Sequence, residues 1–428
     1  MSGLIRITPD PIPVDGPVQI TVQGLAPGSE ATIRAQLHDD TGMEWHSWAT
    51  YQVGPDGTIA TKTAAPSAGT YRGSHPDGLL WSMTPASPEA ALEHSLKTGL
   101  APTAVMVRVE QAGVEAARAD SQLDWLAPGV EAEEVRDNGL FGTAFLPPGN
   151  GPFRAVLVFG GSDGGLRLDT AALLASHGFF ALAVAYFRYP GLPDELVNIP
   201  LEYFDRALQW LHQDPRSEPG RGIGVVGRSR GGELALLLGA TFPLIDAVVA
   251  YVPSGIVHAG IRAGGPSWQV NVPAWTLGGR PVPFLGHESA KLATEESPEP
   301  VVLTPIYCRD MADWEKAADA TISIENSHGP VLMLSGAADA MWPSSLLSEL
   351  AMARIAKLGA RHPVRHLAFP GAGHRFVFPT LPGTVTSGRH AADGTVYEYG
   401  GEPLANARAA SAAHAAMIRW LRGDLSPD

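Results

Sequence analysis

The chain has 428 residues, with 30 Lys and Arg against 44 Asp and Glu, which gives a formal net charge of −14. Apolar residues make up 45% and charged residues 17%, a balance that excludes a mostly disordered chain. The acidic balance also argues against nonspecific nucleic-acid binding, because contacts with phosphate need Lys and Arg.

Residues 1 to about 135 have the pattern of an antiparallel β-sandwich domain. Apolar and polar residues alternate strictly in short runs, and Pro-Gly and Pro-Asp-Gly turn signals separate these runs. The runs are VQITVQG, ATIRAQLHD and AVMVRVE. Since no cluster of reactive side chains stands out here, we interpret this domain as a packing or interaction module.

From about residue 136 to the end the pattern changes to alternating strands and helices. Near-continuous apolar runs are typical of strands buried in a parallel sheet. The runs are RAVLVFGG, FFALAVAY, GIGVVG, IDAVVAYV, PVLMLSG and VRHLAFPG. Segments with helical spacing separate them, which predicts an α/β domain with a doubly wound, mostly parallel sheet.

Residues 253–329 break this alternation and predict a cap-like insertion over the carboxyl ends of the strands. The interval is rich in Gly, Pro and Trp. Trp268 and Trp275 fit either a pocket wall or core packing. The final helix is expected near residues 404–422.

The sequence predicts neither a secretory signal peptide nor a membrane span. The N-terminus has no basic start followed by a long apolar core, so we expect no signal peptide. No run approaches the roughly 18 consecutive apolar residues that a membrane span needs. The one cysteine, Cys308, excludes an internal disulfide. These features predict a cytoplasmic protein without a membrane span.

Ser229 lies in the segment VVGRSRGG, which contains the pattern G-x-S-x-G. This pattern follows an apolar strand and opens an apolar helix, which is the context of a nucleophile elbow. A sharp strand-to-helix turn lifts the serine hydroxyl above the sheet, and small glycines let the strand and the helix approach closely. We therefore predict that Ser229 is a nucleophile.

Asp339 and His374 complete a candidate catalytic triad with Ser229. A serine hydroxyl is a weak nucleophile at neutral pH and needs an adjacent base. Asp339 and His374 each follow a predicted strand, at the edge where open α/β sheets place their sites. The chain order Ser, Asp, His is that of the α/β-hydrolases. His374 would be the base, and Asp339 would orient and stabilise it.

An oxyanion site needs two preorganised N–H donors. One is expected from the amide of Arg230, the residue after the nucleophile. The other is expected from the loop GGSDGGL after the first apolar strand, at Ser162 or the neighbouring Gly161. A phosphate cradle in this loop is excluded because no GKS or GKT follows it.

The sequence contains no convincing metal-ligand pattern, and we expect no metal and no redox cofactor. His362 and His366 are four residues apart, but Pro363 and the strand-like run around them argue against a helical metal pair. No H-E-x-x-H pattern occurs. Cys308 has no elbow context and is interpreted as an ordinary buried or surface thiol.

Taken together, these segments resemble the acyl-CoA thioesterase and bile acid-CoA:amino acid N-acyltransferase family over nearly the whole chain. The resemblance rests on segments in both halves. They are PVQITVQGLAPGSEATIRAQLHDDTG, PDGLLWSMTP, FGGSDGGL, LLASHGFFALAVAYF, LEYFDRALQWL, GIGVVGRSRGGELAL, PVLMLSGAAD, FPGAGH and GGEPLANARA. It implies an N-terminal β-sandwich, an α/β-hydrolase catalytic domain, and nucleophile, acid and base roles for Ser229, Asp339 and His374.

Two features bear on the position of the chain within that family. The resemblance implies that acyltransferase members carry Cys at the elbow, so Ser229 favours hydrolysis. Arg228 and Arg230 flank the nucleophile, where relatives commonly carry small or apolar residues. Each arginine could bind an anionic part of the substrate or form a structural salt bridge. Asp163, in the GGSDGGL loop, could bias the electrostatics of the site.

The sequence thus predicts a serine hydrolase that cleaves small-molecule acyl thioesters, with CoA as part of the substrate. Cleavage of an oxygen ester, lactone or amide is the first alternative, and acyl transfer to an amine is the second. A catalytically silent binding scaffold is the alternative from a different class.

Overall fold

The computed structural model describes residues 3–87, 97, 99–262, 271–287 and 298–426. The chain forms two compact units, and each unit is assembled from three segments. The first comprises Met1–Ala127, Arg375–Thr386 and Glu402–His414, and the second comprises Pro128–His374, Ser387–Gly401 and Ala415–Asp428. The sequence pattern instead predicts one boundary near residue 135, because a local pattern does not show to which unit a later segment belongs.

The first unit contains two β-sheets. β1, β3 and β6 form a three-stranded antiparallel sheet, and the other strands form a second sheet in the order β2-β10-β9-β4-β5-β7, with β8 beside β5. The elements are β1 (Leu4–Thr8), β2 (Ile12–Pro13), β3 (Gln19–Gln23), β4 (Glu30–His38), β5 (Glu44–Gln52), β6 (Ile59–Ala60), β7 (Ala68–Gly69), α1 (Gly78–Trp81), β8 (Thr84–Pro85), β9 (Thr103–Gln111) and β10 (Val114–Asp124).

Alternation in the sequence explains how these strands pack. In β4, every second residue from Ala31 to Leu37 is buried, and β9 repeats the pattern. Because successive side chains of a strand point to opposite faces, one face of each strand is apolar. The inward residues of both sheets belong to one hydrophobic core cluster, which also includes Ala407 from the last segment of the unit.

The second unit is built around an eight-stranded mixed sheet. Its order is β11-β12-β14-β13-β16-β17-β20-β21. β11, β12 and β14 pair antiparallel, and the remaining neighbours pair parallel. The strands are β11 (Glu131–Val135), β12 (Phe141–Leu146), β13 (Arg154–Phe159), β14 (Phe179–Ala185), β16 (Ile223–Arg228), β17 (Ile245–Tyr251), β20 (Val331–Gly336) and β21 (Val364–Phe369).

Helices connect the parallel strands of this sheet. They are α2 (Leu168–Ser176), α3 (Glu202–Gln213), α4 (Arg230–Thr241) and α7 (Ser344–Leu358). β13, β14 and β20 are buried at every position, as expected for strands covered on both faces. The predicted α/β class with a doubly wound, mostly parallel sheet is confirmed, and the order of the strands is that of an α/β-hydrolase.

Smaller elements complete the second unit. β15 (Ile199–Pro200), β18 (Trp275–Leu277) and β19 (Arg280–Pro281) form a small sheet, and β22 (Ser387–Arg389) pairs with β23 (Val396–Glu398). Within the interval predicted as an insertion lie α5 (Thr304–Asp310), α6 (Trp314–Asp319) and a 3₁₀ turn at Ile324–Asn326. Trp268 lies outside the described residues.

The last helix, α8 (Pro403–Arg422), matches the predicted position closely. Its first part belongs to the first unit and its last part to the second. Among the helices that the structure describes, none combines the length and the hydropathy that crossing a membrane requires.

Candidate active site

Ser229 lies at the turn between β16 and α4. Its backbone adopts φ 57° and ψ −121°, a conformation that residues other than glycine rarely adopt. The amide of Ser229 donates to the carbonyl of Tyr251 at the end of β17, with 2.9 Å between nitrogen and oxygen. The neighbouring strand therefore helps to hold the strained turn that was predicted as an elbow.

Two glycines allow this turn to form. A Cβ atom added at Gly227 would lie 2.0 Å from the carbonyl oxygen of Gly231. A Cβ atom at Gly231 would lie 2.3 Å from the carbonyl oxygen of Gly160. Both glycines of the G-x-S-x-G pattern are thus required by close approach of the backbone.

The structure brings Ser229, His374 and Asp339 into one hydrogen-bonded chain. His374 Nε2 lies 3.0 Å from Ser229 Oγ, and His374 Nδ1 lies 2.8 Å from Asp339 Oδ2. Asp339 follows β20 and His374 follows β21, so parallel strands deliver both side chains to the edge where β16 ends. These distances fit the predicted roles of Ser229 as nucleophile, His374 as base and Asp339 as orienting acid.

The carboxylate of Asp339 is buried, with 1% of its side chain exposed, and it has four hydrogen-bond donors. Its Oδ1 accepts from the amides of Met341 and Trp342 at 3.0 and 3.2 Å. Its Oδ2 accepts from the Ser344 hydroxyl at 2.7 Å, in addition to His374. Hydrogen bonds to both oxygens hold this carboxyl group in one orientation.

Arg228 binds the backbone of the loop that carries His374. Its Nη2 donates to the carbonyl oxygen of His374 over 2.5 Å. The amide of His374 donates to the carbonyl of Tyr399 over 2.7 Å. This hydrogen bond gives Arg228 a structural contact, and its substrate-binding role stays a prediction.

Arg230 directs its guanidinium into the protein. Its Nη1 lies 2.7 Å from Glu233 Oε2, and both side chains are almost fully buried. Its Nη2 donates to the carbonyls of His258 and Ala259 at 2.9 and 3.1 Å. Of the two alternatives for Arg230, these contacts favour the structural salt bridge over substrate binding.

The same ion pair organises one wall of the site. Glu233 also accepts from Trp275 Nε1 at 2.9 Å and from the amide of His258 at 3.2 Å. Trp275 is fully buried in the hydrophobic core. Trp275, one of the two tryptophans considered for a pocket wall, therefore packs in the core.

The loop after β13 lies directly against the elbow. A Cβ atom added at Gly161 would lie 3.2 Å from Ser229 Cβ and 3.6 Å from the amide nitrogen of Arg230. The Tyr186 hydroxyl donates to the carbonyl of Gly160 at 2.8 Å and fixes the loop. Arg230 is the first residue of α4, where amides have no partner within the helix. The predicted oxyanion donors thus come from adjacent segments.

A small pocket with a cavity volume of about 30 Å³, open to solvent, lies over Ser229. Ser162, Ser229 and Arg230 line it together with residues from several loops. The other lining residues are Ala259, Gly260, Ile261, His287, Leu303, Tyr307, Met341, Trp342 and His390. The lining mixes apolar side chains, such as Ile261 and Leu303, with polar ones, such as His287 and His390.

Sequence reasoning missed several polar residues around this pocket. Ser344 binds Asp339 from the start of α7, and His287 lies 3.2 Å from Asp310. His390 lies 2.9 Å from the hydroxyl of Ser162, 228 positions away in the sequence. A lone histidine in a short hairpin carries no sequence signal that would reveal this contact. Cys308 is exposed and is not among the lining residues.

The strand order, the elbow and the pocket define the class of protein, a hydrolase of the α/β-hydrolase fold. Two family models match this chain in sequence. The model described as "Acyl-CoA thioester hydrolase/BAAT N-terminal region" matches residues 15–137, and "BAAT / Acyl-CoA thioester hydrolase C terminal" matches residues 199–427. The chain belongs to the acyl-CoA thioester hydrolase/BAAT family, as the resemblance implied.

Curated relatives align along most of the chain. Peroxisomal succinyl-coenzyme A thioesterase of Mus musculus is 30% identical, over 92% of this chain and 90% of its own length. Acyl-coenzyme A thioesterase 1 of Homo sapiens is 31% identical with the same coverage. The human mitochondrial acyl-coenzyme A thioesterase 2 is 30% identical, over 92% of this chain and 78% of its own length. These names include two organelles, and the cytoplasmic location stays a prediction.

Among solved structures, a puromycin-hydrolyzing peptidase of Mycobacterium tuberculosis aligns with a TM-score of 0.44 and 14% sequence identity. The alignment covers 100% of this chain and 68% of that chain.

Proposed function

We propose that this protein hydrolyses acyl-CoA thioesters through an acyl-enzyme formed on Ser229. The observation that carries the proposal is the series of hydrogen bonds from Ser229 Oγ through His374 to Asp339, in which Ser229 also lines a pocket. Membership of the family and the names of the relatives support a CoA thioester as the substrate.

The first half of the reaction forms the acyl-enzyme. His374 Nε2 takes the proton of Ser229 Oγ as the oxygen attacks the thioester carbonyl. Asp339 accepts the Nδ1–H of the ring and stabilises the imidazolium that results. The amide of Arg230 and an amide at Gly161 or Ser162 donate to the oxyanion. The imidazolium then protonates the departing CoA sulfur.

The second half returns the serine. Water enters the position that CoA has left, and His374 removes a proton from it as it attacks the acyl-enzyme. The tetrahedral intermediate collapses, Ser229 Oγ recovers its proton, and the carboxylic acid leaves. The proposed reaction uses no metal and no redox cofactor, and CoA takes part only as a portion of the substrate.

The experiment that tests this proposal is a thiol-release assay with the purified chain and its Ser229→Ala variant. The substrates are acyl-CoAs of graded length and dicarboxylyl-CoAs, beside p-nitrophenyl esters of the same acyl groups. We expect CoA release that Ser229→Ala reduces to background, with an unchanged thermal unfolding midpoint. CoA release at the wild-type rate in Ser229→Ala would refute the mechanism.

The same assay separates the alternatives. Cleavage of the esters without release of CoA would keep the nucleophile and discard CoA as the leaving group. An N-acyl product in the presence of glycine or taurine, detected by mass spectrometry, would indicate acyl transfer. Failure of a fluorophosphonate probe to label Ser229 would favour a silent scaffold.

A further inference from the structure

A second hydrogen-bonded series of a serine, a histidine and an aspartate reaches the same pocket from another side. Ser162 lies on the loop after β13, whereas His390 and Asp393 lie in the turn between β22 and β23. His390 Nε2 is 2.9 Å from Ser162 Oγ, and His390 Nδ1 is 3.5 Å from Asp393 Oδ1. Ser162 and His390 both line the pocket that contains Ser229.

The aspartate at the end of this series is firmly held as an anion. No part of the Asp393 side chain is exposed. Its carboxylate accepts from the Tyr397 hydroxyl at 2.6 Å and from the amide of Thr395 at 3.0 Å. Burial acts to raise the pKa of Asp393, but the hydrogen bonds from His390, Tyr397 and Thr395 bring it well below its usual value.

Burial and three charged groups act on the protonation of His390. Burial and the charge of Arg188 act to lower its pKa, but the hydrogen bond to Asp393 and the charges of Asp163 and Asp393 outweigh them, so the pKa is raised. The amide of Ala392 lies 3.4 Å from Nδ1 and would suit an unprotonated nitrogen. The two carboxylates favour the protonated ring, and Tyr397 packs edge-on against it at 5.7 Å.

Protonation of His390 fixes the direction of its hydrogen bonds. An imidazolium has two N–H donors and no acceptor, so its Nε2–H donates to Ser162 Oγ at 2.9 Å, with Asp163 Oδ1 farther away at 3.5 Å. A serine hydroxyl that accepts from His390 keeps its own proton for another partner. Because Ser162 lines the pocket, that proton is available to an oxygen atom of a molecule bound there.

The acyl oxygen is the group that this proton would meet. Gly161, the residue before Ser162, lies against Ser229 and the amide of Arg230. Ser162 therefore lies on the side of the pocket where the proposed oxyanion forms. We propose that the Ser162 hydroxyl is a third donor to this oxyanion, with His390 as the positioning residue and Asp393 as the group that holds His390. The inference rests on the proposed acylation of Ser229.

The arrangement has a consequence for pH dependence. When His390 loses its proton at high pH, its Nε2 becomes an acceptor if Nδ1–H still donates to Asp393. The Ser162 hydroxyl then turns its proton towards His390 and away from the pocket. Stabilisation of the oxyanion should therefore weaken as pH rises through the raised pKa of His390.

The test measures phosphonylation of Ser229 by a fluorophosphonate probe, because that step also places negative charge on an oxygen at the oxyanion site. Wild type, Ser162→Ala and His390→Gln are compared between pH 6 and pH 10, with p-nitrophenyl ester turnover in parallel. Ser335→Ala is the matched control, since Ser335 also contacts a histidine, His366 at 2.6 Å, and does not line the pocket.

We expect Ser162→Ala to slow labelling and to lower kcat by about 10- to 100-fold, with KM within about twofold, as for loss of one oxyanion donor. The decline at high pH should disappear in Ser162→Ala. His390→Gln should also lose that decline but keep more of the rate, because its amide can still donate to Ser162. Ser335→Ala should label within about twofold of the wild-type rate.

Three results would overturn the inference. They are an unchanged labelling rate in Ser162→Ala, a slower rate with the pH decline intact, and labelling of Ser162 itself in a Ser229→Ala background. Absence of any labelling of Ser229 in the wild type would overturn the proposed function as well. Thermal unfolding of each variant shows whether a loss of rate reflects a loss of fold.

Discussion

Ser229 occupies a backbone conformation that costs about 1–3 kcal/mol for a residue with a side chain. Neighbouring contacts must supply this energy. They include the hydrogen bond to Tyr251 and the close packing of Gly227 on Gly231. Strain held in this way points the hydroxyl towards His374 before any substrate binds, so little rearrangement is left for the reaction.

Replacement of Gly227 by alanine should destroy this turn. The new methyl group would lie 2.0 Å from the carbonyl oxygen of Gly231, so either the strand or the helix must move. We expect a loss of about 3 kcal/mol or more in the free energy of unfolding, at the upper end for overpacking. Urea denaturation measures the loss, and fluorophosphonate labelling should fall to background.

Gly99→Ala is the matched control for Gly227→Ala, because the nearest atom to an added Cβ is 3.9 Å away there. It should change the free energy of unfolding by less than about 1 kcal/mol. Equal destabilisation by both substitutions would show that the close approach of Gly227 to Gly231 is not the reason why the turn requires glycine at position 227.

Asp339→Asn should lower kcat by a factor on the order of 10⁴, as the corresponding change does in a serine protease. The amide can donate to His374 Nδ1 and so favours the wrong tautomer of the ring. Steady-state kinetics on whichever ester or thioester is cleaved would measure the effect. Ser344→Ala removes a single donor to the same carboxylate and leaves its charge, so it should cost far less. Similar losses in both variants would contradict the tautomer argument.

At the scale of an element, the first turn of α4 joins Ser229 to the wall of the pocket. It carries Arg230 and Glu233, three residues apart, and their ion pair binds the segment at residues 258–259 and Trp275. Arg230, beside Ser229, therefore holds neighbouring segments of the site in place. Arg228 contributes in the same manner through the carbonyl of His374.

Glu233→Gln should be strongly destabilising at pH 8. It leaves the buried guanidinium of Arg230 without a counter-charge, and breaking such a pair costs about 3–5 kcal/mol. Urea denaturation gives the loss. Glu134→Gln is the control, since Glu134 pairs with Arg136 on the surface and such pairs contribute about 0–1 kcal/mol. A loss below about 1 kcal/mol in Glu233→Gln would refute a structural role for the pair.

The turn between β22 and β23 should make stability depend on pH. The pKa of His390 is raised on folding, so its contribution is complete below the unfolded pKa and is lost as pH rises through the higher folded value. The lowered pKa of Asp393 gives a contribution that is lost as pH falls through the lower folded value. His390→Gln should therefore cost more stability at pH 5 than at pH 9. Equal losses at both pH values, in urea denaturation, would contradict the assignment.

At the scale of the whole molecule, the sequence revealed what local patterns encode. Apolar runs predicted the strands of the large sheet because those strands are buried on both faces. Residues 227–231 predicted the elbow because its glycines are a local requirement. Contacts between distant segments were not predictable. His390 meets Ser162 only after the sheet has formed, and nothing near His390 in the sequence depends on that contact.

The discontinuous first unit is the other feature that local patterns could not reveal. Residues 375–386 and 402–414 lie within the predicted catalytic domain in sequence but belong to the first unit. Thr380 Oγ1 donates to the carbonyl of Val14 at 2.6 Å, and the ring of Phe378 packs edge-on against Trp125 at 5.5 Å. These contacts involve side chains whose partners lie more than 250 positions away.

A fragment of residues 128–428 should therefore fold poorly, although it contains the whole predicted catalytic domain. It would expose Phe378 and Ala407, which are 4% and 5% exposed in the full chain. Burial of a phenylalanine alone contributes about 1.5–3 kcal/mol, a large share of the stability of a domain. We expect a lower thermal unfolding midpoint and aggregation on gel filtration. Co-expression with residues 1–127 should restore the partners of both segments and recover a monodisperse species. A fragment that is monodisperse alone, with the midpoint of the full chain, would show that the two segments are dispensable to the fold.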